Sequence, residues 1–231
     1  MRALAFDVFG TLFDVEALRV RLGERSKGGE ELLALWRRKQ LEYTFLVALM
    51  RRFLPFSEVT KRALSTASSW LEVGLSPEEV EDLTGAWSRL PLYPDVAGAL
   101  ENLKESYTLV VLSNGETALL HALLEGSGIS RLFSLVLSAE QVETYKPSPR
   151  VYELAVSQLN LPPGEIGMVS SNAFDIMGAK AAGLKGLWIN RAGGEMEPLD
   201  LEPDLEARDF TEFVDLLGAS GMRSEGRTSP K

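Results

Sequence analysis

The 231-residue chain contains no cysteine and a single histidine. The first absence excludes disulfides, thiolate nucleophiles and Cys-based zinc sites, while leaving the redox compartment open. The second leaves His121 with no second histidine to share a metal, so acid–base work falls to carboxylates, lysine or water. Positive charge is also scarce, with 24 Lys and Arg against 33 Asp and Glu and a formal net charge of −9. Such a balance lacks the basic face that nucleic acids and anionic lipid require, and an anionic small molecule would need a local basic island. No run approaches the roughly eighteen apolar residues of a membrane span, and the N-terminus enters a strand without a signal-peptide pattern. The expectations are no nucleic-acid partner, no membrane partner and a cytoplasmic location.

What is present is an apolar content of 45%, enough for the core of one large or two modest domains. Arg2 to Phe6 reads as a short buried strand. From Val15 to Leu90 the pattern is helical, with segments at Glu30 to Phe53, Ser57 to Val73 and Pro77 to Arg89. Ser76-Pro77-Glu78-Glu79 starts the last of these with a cap, a proline at the first helical position and an acidic first turn. After Pro91 and Pro94 strands and helices alternate. The strands are Leu109 to Leu112, Leu135 to Leu137, Ile166 to Val169 and Gly186 to Ile189. The helices are Asp95 to Glu105, Thr117 to Gly126, Pro149 to Leu159 and Ala173 to Ala182. This order predicts an α/β fold, a doubly wound parallel sheet with a Rossmann-like core from residues 1–14 and 91–218 and a helical cap inserted at 15–90. Residues 219–231, rich in Gly, Ser, Arg and Pro, are predicted to be a disordered tail.

Polar residues gather at the strand ends. In Phe6-Asp7-Val8-Phe9-Gly10-Thr11-Leu12-Phe13-Asp14, one carboxylate closes an apolar run just before a glycine that permits a tight turn. That is the placement of a nucleophile at the mouth of a parallel sheet, although the same residues also suit a strand ending in a capped turn. Enzymes that accept phosphoryl groups on such an aspartate need a second acid two residues on, to protonate the leaving oxygen and help hold Mg²⁺, and Phe9 stands there. Ser113-Asn114-Gly115 and Ser170-Ser171-Asn172 fall just beyond two other strands, at the edge where open α/β sheets bind ligands.

Together, seven segments resemble the L-2-haloacid dehalogenases of the haloacid dehalogenase (HAD) superfamily over Leu4 to about Asn190. They are Phe6 to Asp14, Leu35-Trp36-Arg37-Arg38-Lys39-Gln40-Leu41-Glu42-Tyr43-Thr44, Leu112-Ser113-Asn114-Gly115, Tyr145-Lys146-Pro147, Arg150-Val151-Tyr152-Glu153-Leu154-Ala155, Val169-Ser170-Ser171-Asn172-Ala173-Phe174-Asp175 and Trp188-Ile189-Asn190-Arg191. The resemblance implies a HAD-like fold and a hydrolysis without cofactor or metal that converts L-2-haloalkanoic acids to D-2-hydroxy acids. Asp7 would attack C2 to form an ester, and water would then attack the ester carbonyl. Arg37, Asn114 and Phe174 would surround the departing halide, Ser113 would bind the substrate carboxylate, and Lys146 would keep Asp7 ionised. Thr11, Ser170, Asn172 and Asp175 would orient Lys146 and the hydrolytic water. Leu41 and Phe56 would line the pocket with Phe9. Tyr152 fits either a core aromatic or a pocket hydroxyl, and Asp14 a cap or hinge.

Simpler roles compete for several of these residues. Arg37 beside Arg38 and Lys39 could be a solvated helix charge, Ser113 and Asn114 an ordinary turn, and Asp175 a first-turn helix acid. Many family members carry Tyr where this chain has Phe9, and several carry Trp where it has Phe174, which puts chain-length preference in question. The expected partners are a small anionic 2-halo acid, its halide product and a second copy of the chain in a homodimer. The alternatives are a Mg²⁺-dependent phosphatase on the same fold, a hydrolase of another C2 electrophile such as a fluoroacid or azetidine carboxylate, and a catalytically silent small-molecule binder. The phosphatase is disfavoured by Phe9 and by Ser171-Asn172, where such enzymes carry a further acid.

Overall fold

Ala3–Phe6 forms strand β1, and every one of its residues is fully buried. A strand covered on both faces reads as a continuous apolar run, as Ala-Leu-Ala-Phe does. The computed structural model describes residues 1–23 and 29–220. The other strands are β2 (Thr108–Ser113), β3 (Leu135–Ser138), β4 (Ile166–Ser170), β5 (Lys185–Ile189) and β6 (Leu205–Ala207). They form one sheet in the order β3-β2-β1-β4-β5-β6, with all pairings parallel. The chain builds outward from β1 through β2 to β3, then returns to the other side of β1 at β4. The crevice at that reversal is where ligands bind in doubly wound sheets.

Between β1 and β2 lies the helical block: α1 (Leu18–Gly23), α2 (Gly29–Leu49), α3 (Phe56–Trp70), α4 (Pro77–Gly85) and a 3₁₀ turn at Ala86–Arg89. The start of α4 carries the full capping box, with the Ser76 hydroxyl accepting from the Glu79 N–H and the Glu79 carboxylate accepting from the Ser76 N–H. The block leaves and rejoins the sheet at one place. Asp14 N–H donates to the Pro91 carbonyl at 2.9 Å, and Tyr93 N–H donates to the Leu12 carbonyl at 2.9 Å. The remaining helices are α5 (Val96–Leu103), α6 (Thr117–Gly126), α7 (Pro149–Leu159), α8 (Ala173–Ala181) and α9 (Phe210–Ala219).

Helices α2 and α3 stop earlier than their sequence pattern suggests. Each ends in the left-handed region at a non-glycine residue, Arg51 (φ 54°) and Glu72 (φ 53°). Beyond each, an amide reaches five residues back, Arg52 to Val47 and Val73 to Ser68. This closes the helix as a glycine normally would, without its sequence signal. The first strand begins at Ala3 rather than Arg2, and α5 is shorter at both ends than Asp95 to Glu105. Strand β6 and helix α9 escape the sequence reading, β6 because three residues with a central Glu206 carry no periodicity. The chain remains helical to Ala219, inside the stretch expected to be disordered. The rest of the tail expectation, 221–231, lies outside the described residues.

Candidate active site

Asp7, Ser113 and Ser170 follow or end β1, β2 and β4, three neighbours in the sheet, so their side chains converge on one edge. The turn after Asp7 is made possible by Gly10 at φ +82°, a conformation L side chains rarely adopt. It folds Thr11 back so that its hydroxyl donates to Asp7 Oδ2 at 2.9 Å while accepting the Ser171 N–H at 2.8 Å. Asn172 Nδ2 donates to the same Oδ2 at 2.9 Å and to the Phe9 carbonyl at 3.3 Å. One carboxylate oxygen is thereby fixed twice. The other, Oδ1, receives a single long bond of 3.4 Å from Lys146 Nζ.

Lys146 is 1% exposed and Asp7 6%. A buried ammonium is tolerable only when paired and hydrogen-bonded. Its Nζ donates to Asp175 Oδ2 at 2.8 Å and to the Leu112 carbonyl at 2.6 Å as well as to Asp7. One cation thus stands between two carboxylates. Burial raises the Asp175 pKa, and the attraction of Lys146 opposes that rise. Tyr152 completes the group, its hydroxyl donating to Asp175 Oδ1 at 2.9 Å. Burial first, and the Asp175 charge second, hold that phenol well above its ordinary pKa, so it stays a donor. Helix α7 can bring Tyr152 this close to α8 because residue 178 is glycine; a Cβ there would overlap the Tyr152 hydroxyl and Pro147.

Tyr152→Phe removes one of the interactions that lower the Asp175 pKa. The acid limb of the pH–rate profile should therefore move to higher pH, with a loss of about tenfold or less at neutral pH. A profile superimposable on that of the unaltered protein would make Tyr152 a packing residue only.

The helical block supplies the other wall. Phe9 stacks on Phe56 from α3 at 5.2 Å between ring centroids and meets Trp87 edge-on at 5.1 Å. Trp87 also packs against Trp36 and carries the Arg37 guanidinium over its ring at 5.1 Å. Arg37 donates to the Gln40 side-chain oxygen, and Gln40, fully buried, donates in turn to Thr60 Oγ1. Burial lowers the Arg37 pKa to about 10, a fall resisted by attraction to Asp7. Arg37 is thus a half-buried cation, packed on Trp87 and attracted to Asp7. Phe174, at the start of α8, meets Phe45 of α2 edge-on at 5.2 Å.

The remaining expected residues are placed as follows. Asn114 accepts the Lys146 N–H on Oδ1 at 2.9 Å, which leaves its NH₂ group for a ligand. Ser113 Oγ accepts the Gly115 N–H at 3.3 Å and can still donate. Ser170 accepts the Asn172 N–H and Asn172 donates to Asp7, while the Lys146 ammonium bonds Asp7, Asp175 and the Leu112 carbonyl. Thr11 likewise acts on Asp7. Leu41 is half-buried on α2. Asp14 caps the 3₁₀ turn at Val15–Ala17, and His121 is exposed on α6. Trp87, Gln40 and Thr60 were not singled out from the sequence, since their role depends on neighbours distant along the chain.

The same arrangement of chain is found in known proteins. The family model for haloacid dehalogenase-like hydrolases matches residues 1–183. An (S)-2-haloacid dehalogenase of Pseudomonas sp. (strain YL) is 38% identical over 227 residues, 97% of this chain and 98% of that protein. A crystal structure of an L-2-haloacid dehalogenase superposes with a TM-score of 0.92 at 34% identity, covering 94% of this chain and 99% of the other. The L-2-haloacid dehalogenase of Xanthobacter autotrophicus with chloropropionic acid covalently bound superposes with a TM-score of 0.84 at 30% identity, covering 96% and 99% of the two chains. A family match across most of the sequence, with the fold it predicts and an aspartate at the expected strand end, leaves one assignment: this chain belongs to the haloacid dehalogenase-like hydrolases.

Proposed function

We propose that the protein hydrolyses L-2-haloalkanoic acids to D-2-hydroxy acids through an ester on Asp7, without a metal. The observation that carries the reading is the pinned carboxylate. Thr11 and Asn172 hold Oδ2, so Oδ1, with one long bond from Lys146, is the oxygen free to attack C2. Attack forms the C2–O bond as the C2–halogen bond breaks, and the halide leaves with the bonding pair. Arg37, the free amide donors of Asn114 and the edge of Phe174 are the candidates to receive it, since an emerging anion needs donors opposite the nucleophile. Water then attacks the Asp7 carbonyl carbon and the bond from that carbon to the substrate oxygen breaks; of the water's two protons one goes to the departing hydroxy acid and the other to solvent, and the Asp7 carboxylate is regenerated. Lys146 offsets the charge of Asp7 beside an anionic substrate, and Ser113 with nearby backbone N–H groups suits the substrate carboxylate.

Two features support metal independence. Phe9 fills the place of a second acid and is packed against Phe56 and Trp87. The charge between Asp7 and Asp175 is already supplied by Lys146. Residues 15–90 act in this reading as a cap over a core of 1–14 and 91–218. The homodimer and the cytoplasmic location belong to the same proposal; the exposed Leu46 and Leu49 of α2, with Met50 just beyond it, are the apolar surface such a dimer would cover. No helix among the described residues is long and apolar enough to cross a membrane.

The deciding measurement is halide release from paired L- and D-2-chloropropionate, with and without EDTA. Release from the L-isomer alone, unaffected by chelation, is the expected result. Loss on EDTA with recovery on Mg²⁺ would overturn metal independence, and no halide release from either isomer would overturn the dehalogenase reading. Arg37→Lys keeps the charge but loses the planar fork, so kcat should fall by about one to three powers of ten with folding intact. Near-normal turnover would remove Arg37 from the halide site.

A further inference from the structure

The segment Trp188-Ile189-Asn190-Arg191 takes no part in the chemistry above, yet its arginine reaches the nucleophile's turn. Arg191 follows β5, where Asn190 N–H still donates to the Ala207 carbonyl of β6 at 2.7 Å and fixes where the chain leaves the sheet. Its terminal nitrogens grip both oxygens of Asp95 at 3.0 and 3.1 Å, and Asp95 also accepts the Phe210 N–H at 2.8 Å. The same guanidinium lies 3.9 Å over the ring of Tyr93. Nη2 donates to the Thr11 carbonyl at 3.4 Å. Tyr93 is bound through its N–H to Leu12, and burial, followed by the nearby Asp14 charge, pushes its hydroxyl pKa up to about 12.

One side chain therefore touches both segments that join the cap to the core: the outgoing segment at Thr11, and the returning segment at Tyr93 and Asp95. Thr11 is also the residue whose hydroxyl pins Asp7 and accepts the Ser171 N–H. The turn is closed locally by bonds from Gly10 N–H to the Phe13 carbonyl and from the Thr11, Leu12 and Phe13 N–H groups to the Val8 carbonyl, and the Thr11 carbonyl is left to point outward, where Arg191 meets it. A planar, bidentate fork is suited to this task, because it fixes orientation as well as charge.

We propose that Arg191 is a positioning residue for the reaction: anchored by Asp95, it holds the Thr11 backbone so that the Thr11 hydroxyl stays on Asp7 Oδ2. The kinetic consequences rest on the reaction proposed above. A group that acts through Thr11 has little left to lose once the Thr11 hydroxyl is gone, so the two substitutions must be non-additive.

The test is a double-mutant cycle of Arg191→Lys and Thr11→Val, read in kcat and KM, combined with amide hydrogen exchange at Ser171. Arg191→Lys is expected to lower kcat about tenfold with KM changed less than about threefold, and to cost less than about twofold more in the Thr11→Val background. In otherwise unaltered protein the same substitution should speed Ser171 exchange at least about threefold, with the Val110 amide in β2 unchanged. A residue that merely braces the hinge would give losses that multiply, or leave Ser171 exchange unmoved, and either result overturns the proposal. If Arg191→Lys does not fold, Asp95→Asn, which can still accept the Phe210 N–H but loses the charged fork, is read by the same two criteria. Should the unaltered protein release no halide, the reaction proposed above falls, and the Ser171 comparison alone decides the role of Arg191.

Discussion

Lys146→Ala is expected to abolish ester formation at neutral pH. The substitution leaves two buried carboxylates facing each other without their shared cation, and a substrate carboxylate adds a third negative charge. Removing one partner of a buried ion pair costs about 3–5 kcal/mol, equivalent to two to four powers of ten in rate if the penalty falls on the transition state. Part of it can be relieved by a proton settling on the Asp7–Asp175 pair, but a protonated aspartate is no nucleophile. Residual activity should therefore rise with pH as that proton is lost. Lys146→Arg should recover little, since Nζ sits among three oxygen acceptors in a site only 1% exposed, with no room for a fork. Quenched single turnovers, analysed for substrate bound to the peptide containing Asp7, provide the measurement. An alanine variant that traps substrate at the normal rate would remove the electrostatic role.

Asp7→Asn should have an effect at least as large, with turnover down by about four or more powers of ten while the fold survives. The amide can still accept from Thr11 and Asn172, and what it loses is the nucleophilic oxygen. This loss alone does not separate a nucleophile from a general base that activates water, and both routes invert C2. The origin of the product oxygen separates them. In the ester route the new hydroxyl oxygen comes from Asp7, and solvent oxygen enters Asp7 when the ester is cleaved. One turnover in ¹⁸O-water with excess enzyme should label the Asp7 peptide and leave the product largely unlabelled. Label in the product and none in Asp7 would show water attacking carbon directly.

Much of this arrangement is legible in the sequence because it is carried by local patterns. The buried run Ala3–Phe6 with its terminal aspartate, the Ser76-Pro77 helix start and the polar triplets after β2 and β4 all lie where periodicity and turn chemistry put them. The features that escape are of two kinds. The expected spans of α2 and α3 overrun the true helix ends because Arg51 and Glu72 adopt a conformation usually signalled by glycine. The supporting shell of the site escapes because it is assembled from distant positions: Gln40 with Thr60, Trp87 with Phe9, Arg191 with Asp95. The bonds of Asn172 and Thr11 to Asp7 are likewise not read from the sequence, since residue type identifies a donor but not its acceptor.

The position of β1 in the sheet also bears on how the protein is made. Leu4 pairs with Leu109 on one side and with Gly167 on the other, whereas Val110 pairs with Leu135 in the neighbouring strand. Closing the longer loops costs more chain entropy and slows assembly, so local pairings form first. On a ribosome, β1 emerges well before either of its partners and keeps one edge unpaired until β4 has been translated, since β2 covers only the other. Within the sheet, the strand that presents Asp7 is thus the first to be synthesised and among the last to be paired on both edges. Throughout that interval the nascent chain is exposed to edge-to-edge association, and no partly made chain has an assembled active site.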